Sequence, residues 1–198
     1  MGAATKSSAG LLCLRIELDD LTPAIWRRVW VEGSISLSTL HHTIQAAMGW
    51  TDAHLHEFKI GDVIYAKPHP EDDPKRAIVD ERRALVRKTL DGISAFSYRY
   101  DFGDAWRHTI TVEQRAPMPQ HWPGCASVDA GERACPPEDS GGPFGYQKFI
   151  DQLAGNPRHA EVRTFKQWAG KDFDPKKFDR HATNAALARM AWNRWGDT

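Results

Sequence analysis

The sequence predicts a single α+β domain, an antiparallel and strongly aromatic sheet packed against one central helix, with further helices towards the C-terminus. Three observations carry that expectation. Several short stretches alternate apolar and polar residues with period two. One stretch, Leu37 to Met48, carries an apolar face at helical spacing. The last third of the chain turns to helical patterns between Asp/Pro and Gly punctuation. A chain of 198 residues is long enough to bury a substantial core, and 41% hydrophobic with 26% charged residues is ordinary for a globular domain.

Leu12, Leu14, Ile16 and Leu18 alternate with Cys13, Arg15 and Glu17, which predicts a strand with one buried face. Ile25 to Val31 follows Thr22-Pro23 as its antiparallel partner. Ser36 is placed to cap the Leu37–Met48 helix and Gly49 to end it. Gly61-Asp62, between Glu57–Ile60 and Val63–Tyr65, reads as a two-residue hairpin turn. Lys67 to Lys75 is rich in Pro and Asp and reads as a loop, and Asp80 to Leu90 as a short helix. Phe96–Phe102 and Trp106–Val112 alternate as two strands about a tight turn at Gly103-Asp104. Ala116 to Pro143 has no periodicity and reads as a long, ordered, functional loop. Helical faces follow at Tyr146, Phe149, Ile150 and Leu153 and at Val162, Phe165 and Ala169, and Asp174-Pro175 is expected to open a last helix running towards Trp192. Residues 1–10 are expected to be a disordered leader, 11–180 the domain, and 181–198 a C-terminal helix and tail.

Composition narrows the function classes. No apolar run reaches the length of a membrane span, and the start lacks a secretory signal's apolar stretch, so a cytoplasmic protein is expected. Cys13, Cys125 and Cys135 form no zinc-finger spacing. The net charge is zero, which argues against a protein that coats nucleic acid. Only the C-terminal part is locally basic.

Two short segments are chemically dense: Tyr100 to His108, and Pro136 to Gly142. Both set carboxylates on a Gly- or Pro-bearing backbone. Together with Pro23-Ala24-Ile25-Trp26-Arg27-Arg28, Leu40-His41, Ile44-Gln45, Met48-Gly49-Trp50, His54-Leu55-His56-Glu57-Phe58, Cys125, Arg133-Ala134-Cys135, Gly145-Tyr146 and Phe173-Asp174-Pro175 with Phe178, they come in one order. In that order the chain resembles the family named after the third open reading frame of an Agrobacterium Ri plasmid, a family also described as similar to a "TnpR-like" passenger protein of a mycobacterial insertion sequence. The resemblance covers about residues 11 to 180. It implies an α+β fold and, for some members, association with mobile elements, but brings no established activity. Members commonly carry Cys where this chain has Ser140, which counts against a thiol metal site shared with Cys125.

The candidate chemistry competes throughout with structural roles. His54 and His56, read on a strand, project to one face and suit a divalent metal ion; against this, Phe58 and Ile60 share that face and would make His56 a hydrogen-bonded core residue. Asp104 and His108 are a candidate general base with its orienter; against this, Asp104 would bind turn amides and His108, in register with Trp106 and Ile110, would be core. Asp101, Trp106, Glu138 and Asp139 are candidate binding residues, the carboxylates suited to Mg²⁺ or Ca²⁺ or to latching the loop. Cys125 and Cys135 with a His would make a less regular metal site. Trp26, Arg27 and Arg28 suit phosphates and bases, although strand alternation splits the two arginines between faces. His41 reads as core.

The expected function is a binding or interaction module with nucleic acid or a protein as partner. The alternative is a metal-assisted hydrolase, acting on phosphodiesters, built from His54, His56, Asp101, Asp104, His108, Glu138 and Asp139. A resolvase is remote, because neither a Ser/Arg nor a Tyr/Arg/His set can be placed. Convergence of the candidates in one cleft distinguishes the two leading readings.

Overall fold

The computed structural model describes residues 10–194 except 71, 72, 74, 75, 123, 125 and 171. Residues 1–9 of the expected leader and Cys125 lie outside the described residues.

The described residues form β1 (Leu11–Leu18), β2 (Ile25–Glu32), α1 (Leu37–Met48), β3 (His56–Ile60), β4 (Val63–Ala66), β5 (Ile78–Asp80), a 3₁₀ turn (Glu81–Arg83), α2 (Val86–Thr89), β6 (Ala95–Tyr100), β7 (Trp106–Ala116), β8 (Ala126–Glu132), α3 (Gly142–Gly155), α4 (Ala160–Ala169) and α5 (Arg180–Trp192). The strands make one sheet in the order β5-β4-β3-β6-β7-β1-β2-β8. Every pairing is antiparallel except β4 with β5. The α+β class therefore holds.

Alternation dictates the sheet's buried face. Ile25, Arg27, Val29 and Val31 of β2 point inward, and Trp26, Arg28 and Trp30 point out. Phe58, Tyr98, Tyr100, Trp106 and Ile110 line the same core as Leu37, Leu40, Ile44 and Met48 of α1. Ser36 caps α1 by accepting the Thr39 N–H at 3.1 Å, and Gly49 ends it with φ +92°.

Three elements differ from expectation. β8 lies inside the stretch read as loop. Only Val128 is buried on it, so it shows no clean alternation, and partners hold it: β2 pairs along its length, and the Asn184 side chain of α5 bonds both the N–H and C=O of Val128 at 2.8 Å. The Asp80–Leu90 stretch divides into the end of β5, a 3₁₀ turn and α2 rather than one helix. The last helix starts at Arg180, capped by Asp179; Asp174-Pro175 makes a separate turn, with Asp174 accepting the Lys176 N–H at 2.9 Å.

Candidate metal centre

Three segments far apart in sequence meet beside the start of β3. The first is the stretch from Thr51 to Leu55 after α1, where Asp52 adopts a left-handed backbone, φ +59°. The second is the β6–β7 turn. Asp101 opens it at φ +55°, and its Oδ1 accepts the N–H groups of Gly103 and Asp104 at 2.9 and 3.2 Å, the self-capping that makes Asp a turn residue. The Asp101 N–H donates to the Leu55 carbonyl at 2.9 Å and ties this turn to the first segment. The third is the loop after β8, carrying Glu138 and Asp139, the latter also left-handed at φ +55°.

His54 Nε2 sits where they meet. Asp101 Oδ2 lies 3.7 Å away, Glu138 Oε2 3.4 Å and Asp139 Oδ1 3.4 Å. The nitrogen is shielded from solvent and has no hydrogen-bond partner, a costly state for a buried polar atom. Glu138 is immobilised: its Oε1 accepts from the Thr51 N–H at 2.7 Å and the Thr51 hydroxyl at 3.2 Å, and Tyr100 Oη donates to the carboxylate at 3.1 Å. Burial and this carboxylate hold the Tyr100 hydroxyl well above its usual pKa. The spacing suits a metal. Donors about 2.1 Å from a shared ion, at tetrahedral angles, stand about 3.4 Å from one another.

A groove of about 580 Å³ opens beside this centre, its wall including His41, His42, Asp52, His54, His56 and Glu81. His56 Nε2 is 2.7 Å from Glu81 Oε2, and its ring stacks on His41 at 3.4 Å and 4°. A closed hydrogen-bond ring fixes His41 and Asp52. The Asp52 N–H donates to Gln45 Oε1 at 3.1 Å, which orients the Gln45 amide to donate to Tyr98 Oη at 3.0 Å. Tyr98 Oη is 2.8 Å from His41 Nδ1 and His41 Nε2 2.7 Å from Asp52 Oδ1. Burial pushes the His41 pKa down to about 4 and lowers that of His42. Burial, the largest single influence, raises Asp52, but the hydrogen bond from His41 together with the nearby His41, His42 and His56 rings outweighs it and leaves the carboxyl below its ordinary value.

The sequence candidates divide. His54, Asp101, Glu138 and Asp139 converge. His56 does not join His54: β3 begins only at His56, so the backbone ahead of it is bent, strand alternation does not apply to His54, and His56 pairs with Glu81 instead. Asp104 and His108 are not a pair. Asp104 Oδ2 accepts the Gly141 N–H at 3.1 Å, latching the loop, while His108 is fully buried in edge-on contact with Trp50 and burial drives its pKa down to about 3. Trp106 is core, 1% exposed. Arg27 is buried on the inner face, donating to the carbonyls of Ala47 and Glu132 and lying 4.3 Å over the Phe178 ring, so it is withdrawn from any ligand. Arg28 pairs with Asp129 at 2.9 Å, and the Trp26 indole donates to Glu132 at 3.2 Å, so this outer face is internally neutralised. Cys135 packs against the core, its thiol pushed up to about 12 by burial. Sequence reasoning missed His42, Asp52 and Glu81 and took His41 as plain core. The adjacent His41-His42 pair and the Asp52-Ala53-His54 spacing are the signals that point to them; Glu81 has none.

Comparisons with known proteins follow the same outline. Residues 11–182 match the family described as plasmid pRiA4b ORF-3-like protein. The uncharacterized protein y4hQ of Sinorhizobium fredii (strain NBRC 101917 / NGR234) is 39% identical over 195 residues, which cover 94% of this chain and 96% of the relative. The crystal structure of MM3350 from Methanosarcina mazei Go1, a protein of unknown function, matches with a TM-score of 0.76 at 34% identity, over 88% of this chain and 97% of that one. Motif order, fold and overall likeness agree, and the chain belongs to the plasmid pRiA4b ORF-3-like family.

Proposed function

We propose that this domain binds a divalent cation through His54, Asp101 and Asp139, with Glu138 as a fourth donor, and that the cation serves hydrolytic chemistry in the adjoining groove. The observation that carries the reading is His54 Nε2, buried without a hydrogen-bond partner and faced by three carboxylate oxygens at 3.4–3.7 Å. One imidazole with several carboxylates is a hard, mainly oxygen donor set, suited to Mn²⁺ or Mg²⁺ and open to Zn²⁺. A cation held there would polarise a carbonyl or phosphoryl oxygen of a ligand in the groove. The preorganised parts are protein: Asp101 held by its own turn amides, and Glu138 by Thr51 and Tyr100.

Two measurements test the two steps separately. Equilibrium dialysis of the untagged protein against Mn²⁺ or Zn²⁺, read by mass spectrometry, should show a bound equivalent that Asp101→Asn weakens by at least about tenfold, since it replaces a charged ligand with a neutral one. Wild-type protein with no bound ion at millimolar Mn²⁺ and micromolar Zn²⁺ would sink the reading. Hydrolysis of bis(p-nitrophenyl) phosphate that appears only with the cation and disappears in Asp101→Asn supports the second step. Binding without turnover on this and on carboxylic esters removes hydrolysis and leaves a cation-binding module.

A further inference from the structure

We propose a second divalent-cation site on the wall of the same groove, held by His41, His42 and Asp52, with the donor chemistry of a transition ion such as Zn²⁺, Co²⁺ or Fe²⁺. It shares no ligand with the His54 centre. The three donor atoms lie within 4.8 Å of one another. Two imidazoles and one carboxylate are a softer set than the neighbouring one, and of the type that suits Zn²⁺ or Fe²⁺ over Mg²⁺.

The surroundings are those of a ligand set already oriented. His41 and His42 are rigidly placed by α1, and both turn towards Asp52: His41 Nε2 at 2.7 Å from Oδ1, His42 Nδ1 at 3.4 Å from Oδ2. A metal-ligating histidine needs a partner on its other ring nitrogen. For His41 that partner is Tyr98 Oη, itself fixed by Gln45. The stacked His56 ring, anchored on Glu81, holds the imidazole plane. Asp52 and His42 are the solvent-facing members, 38% and 23% exposed, so an ion can reach them from the groove.

Proton accounting gives the site a signature. Tyr98 Oη accepts from Gln45 and gives its own proton to His41 Nδ1, which places the His41 proton on Nε2, shared with Asp52. An ion taking the Nε2 lone pair must replace that hydrogen bond. The Nε2 proton then relocates to Nδ1 and donates to Tyr98 Oη, while Tyr98 keeps its own proton and its O–H turns away from the ring, so no proton is released. The observable is therefore a change of His41 tautomer, readable as a shift of its Nδ1 and Nε2 resonances.

The two centres are joined. Asp52 and His54 flank Ala53, whose N–H donates to Tyr100 Oη at 3.0 Å, and Tyr100 Oη donates on to Glu138. Filling one centre orders the segment that bears a ligand of the other.

Titration of the untagged, chelator-stripped full chain with Zn²⁺ and with Co²⁺ tests this. Wild-type protein should bind two equivalents. His42→Ala should lose one while Asp101→Asn keeps that one and weakens the other, and Tyr98→Phe should weaken the His42-dependent equivalent about 10- to 100-fold. The His42-dependent equivalent should also switch the His41 ring resonances. His42→Gln, which keeps a polar side chain of similar reach, stands in if His42→Ala fails to fold by circular dichroism. A wild-type protein that binds one equivalent, retained in both His42 variants, overturns the proposal, as does unchanged His41 tautomer at saturation. A His42-dependent equivalent beside an Asp101→Asn variant indistinguishable from wild type would keep this site and sink the His54 centre instead.

Discussion

His54 and His108 lie within one aromatic neighbourhood, and what surrounds each ring decides its use. His54 faces three carboxylates at the edge of a groove. His108 is sealed under Trp50 and Tyr98 with no side-chain acceptor within hydrogen-bond reach, so its charged form is excluded and its pKa falls to about 3. The folded value lies below the unfolded one of about 6.5, so the unfolded chain takes up this proton first. The stability His108 contributes is complete above pH 6.5 and is lost as pH falls from there towards 3. Urea unfolding of the wild type should therefore lose stability from pH 6.5 downwards, and His108→Leu should lower the slope by about 1.4 kcal/mol per pH unit between pH 6 and 4. Equal slopes in the two proteins would mean that His108 is solvated or charged when folded.

At the scale of elements, the loop from Pro136 to Gly142 and the β6–β7 turn are held together at very close range. A Cβ on Gly142 would stand 2.5 Å from the Asp104 carbonyl oxygen, at φ +66°, so only glycine lets the backbones approach. Gly142→Ala should cost about 2 kcal/mol or more in chemical denaturation and weaken cation binding, because it pushes the Asp139 loop away from Asp101. Ser36→Ala, which removes the cap of α1, should cost about 1 kcal/mol and leave cation binding at the His54 centre unchanged, separating loop geometry from general stability. These elements differ in how far sequence exposes them. β1, β2, β6 and β7 show because burial on one face forces alternation, and α1 because Ser36 and Gly49 mark its ends. β8 does not, because its hydrogen bonds go to β2 and Asn184 while its side chains stay mostly half-exposed. The same division holds in the site. Asp101, Glu138 and Asp139 stand out among Gly and Pro, whereas Asp52 acquires its partners through a left-handed turn and through Gln45, seven residues back in α1, which no periodicity records.

For the whole molecule, the His54 centre exists only when the chain is folded. The groups proposed as its donors, His54, Asp101 and Asp139 with Glu138 beside them, are brought together by the end of α1, the β6–β7 turn and the loop that leaves β8 at the far edge of the sheet. An unfolded chain has no such cluster, so the proposed cation binding would be coupled to folding. The net charge of zero gives the molecule no broad field to attract cations, and affinity has to come from this local carboxylate cluster. Among the described residues no helix is long and apolar enough to cross a membrane. The coupling can be read in thermal melts. At a free cation concentration one hundred times the dissociation constant the folded state should gain about 2.7 kcal/mol, which for a chain of this size raises Tm by about 5–10 °C. With Mg²⁺, which the oxygen-rich His54 set suits and the His41–His42–Asp52 set does not, the rise should grow with the logarithm of cation concentration in wild type and be lost over the same range in Asp101→Asn. The paired variant Asp62→Asn, in the β3–β4 turn outside the groove, should keep it. A Tm that rises equally in all three proteins would assign the effect to general ionic screening rather than to this site.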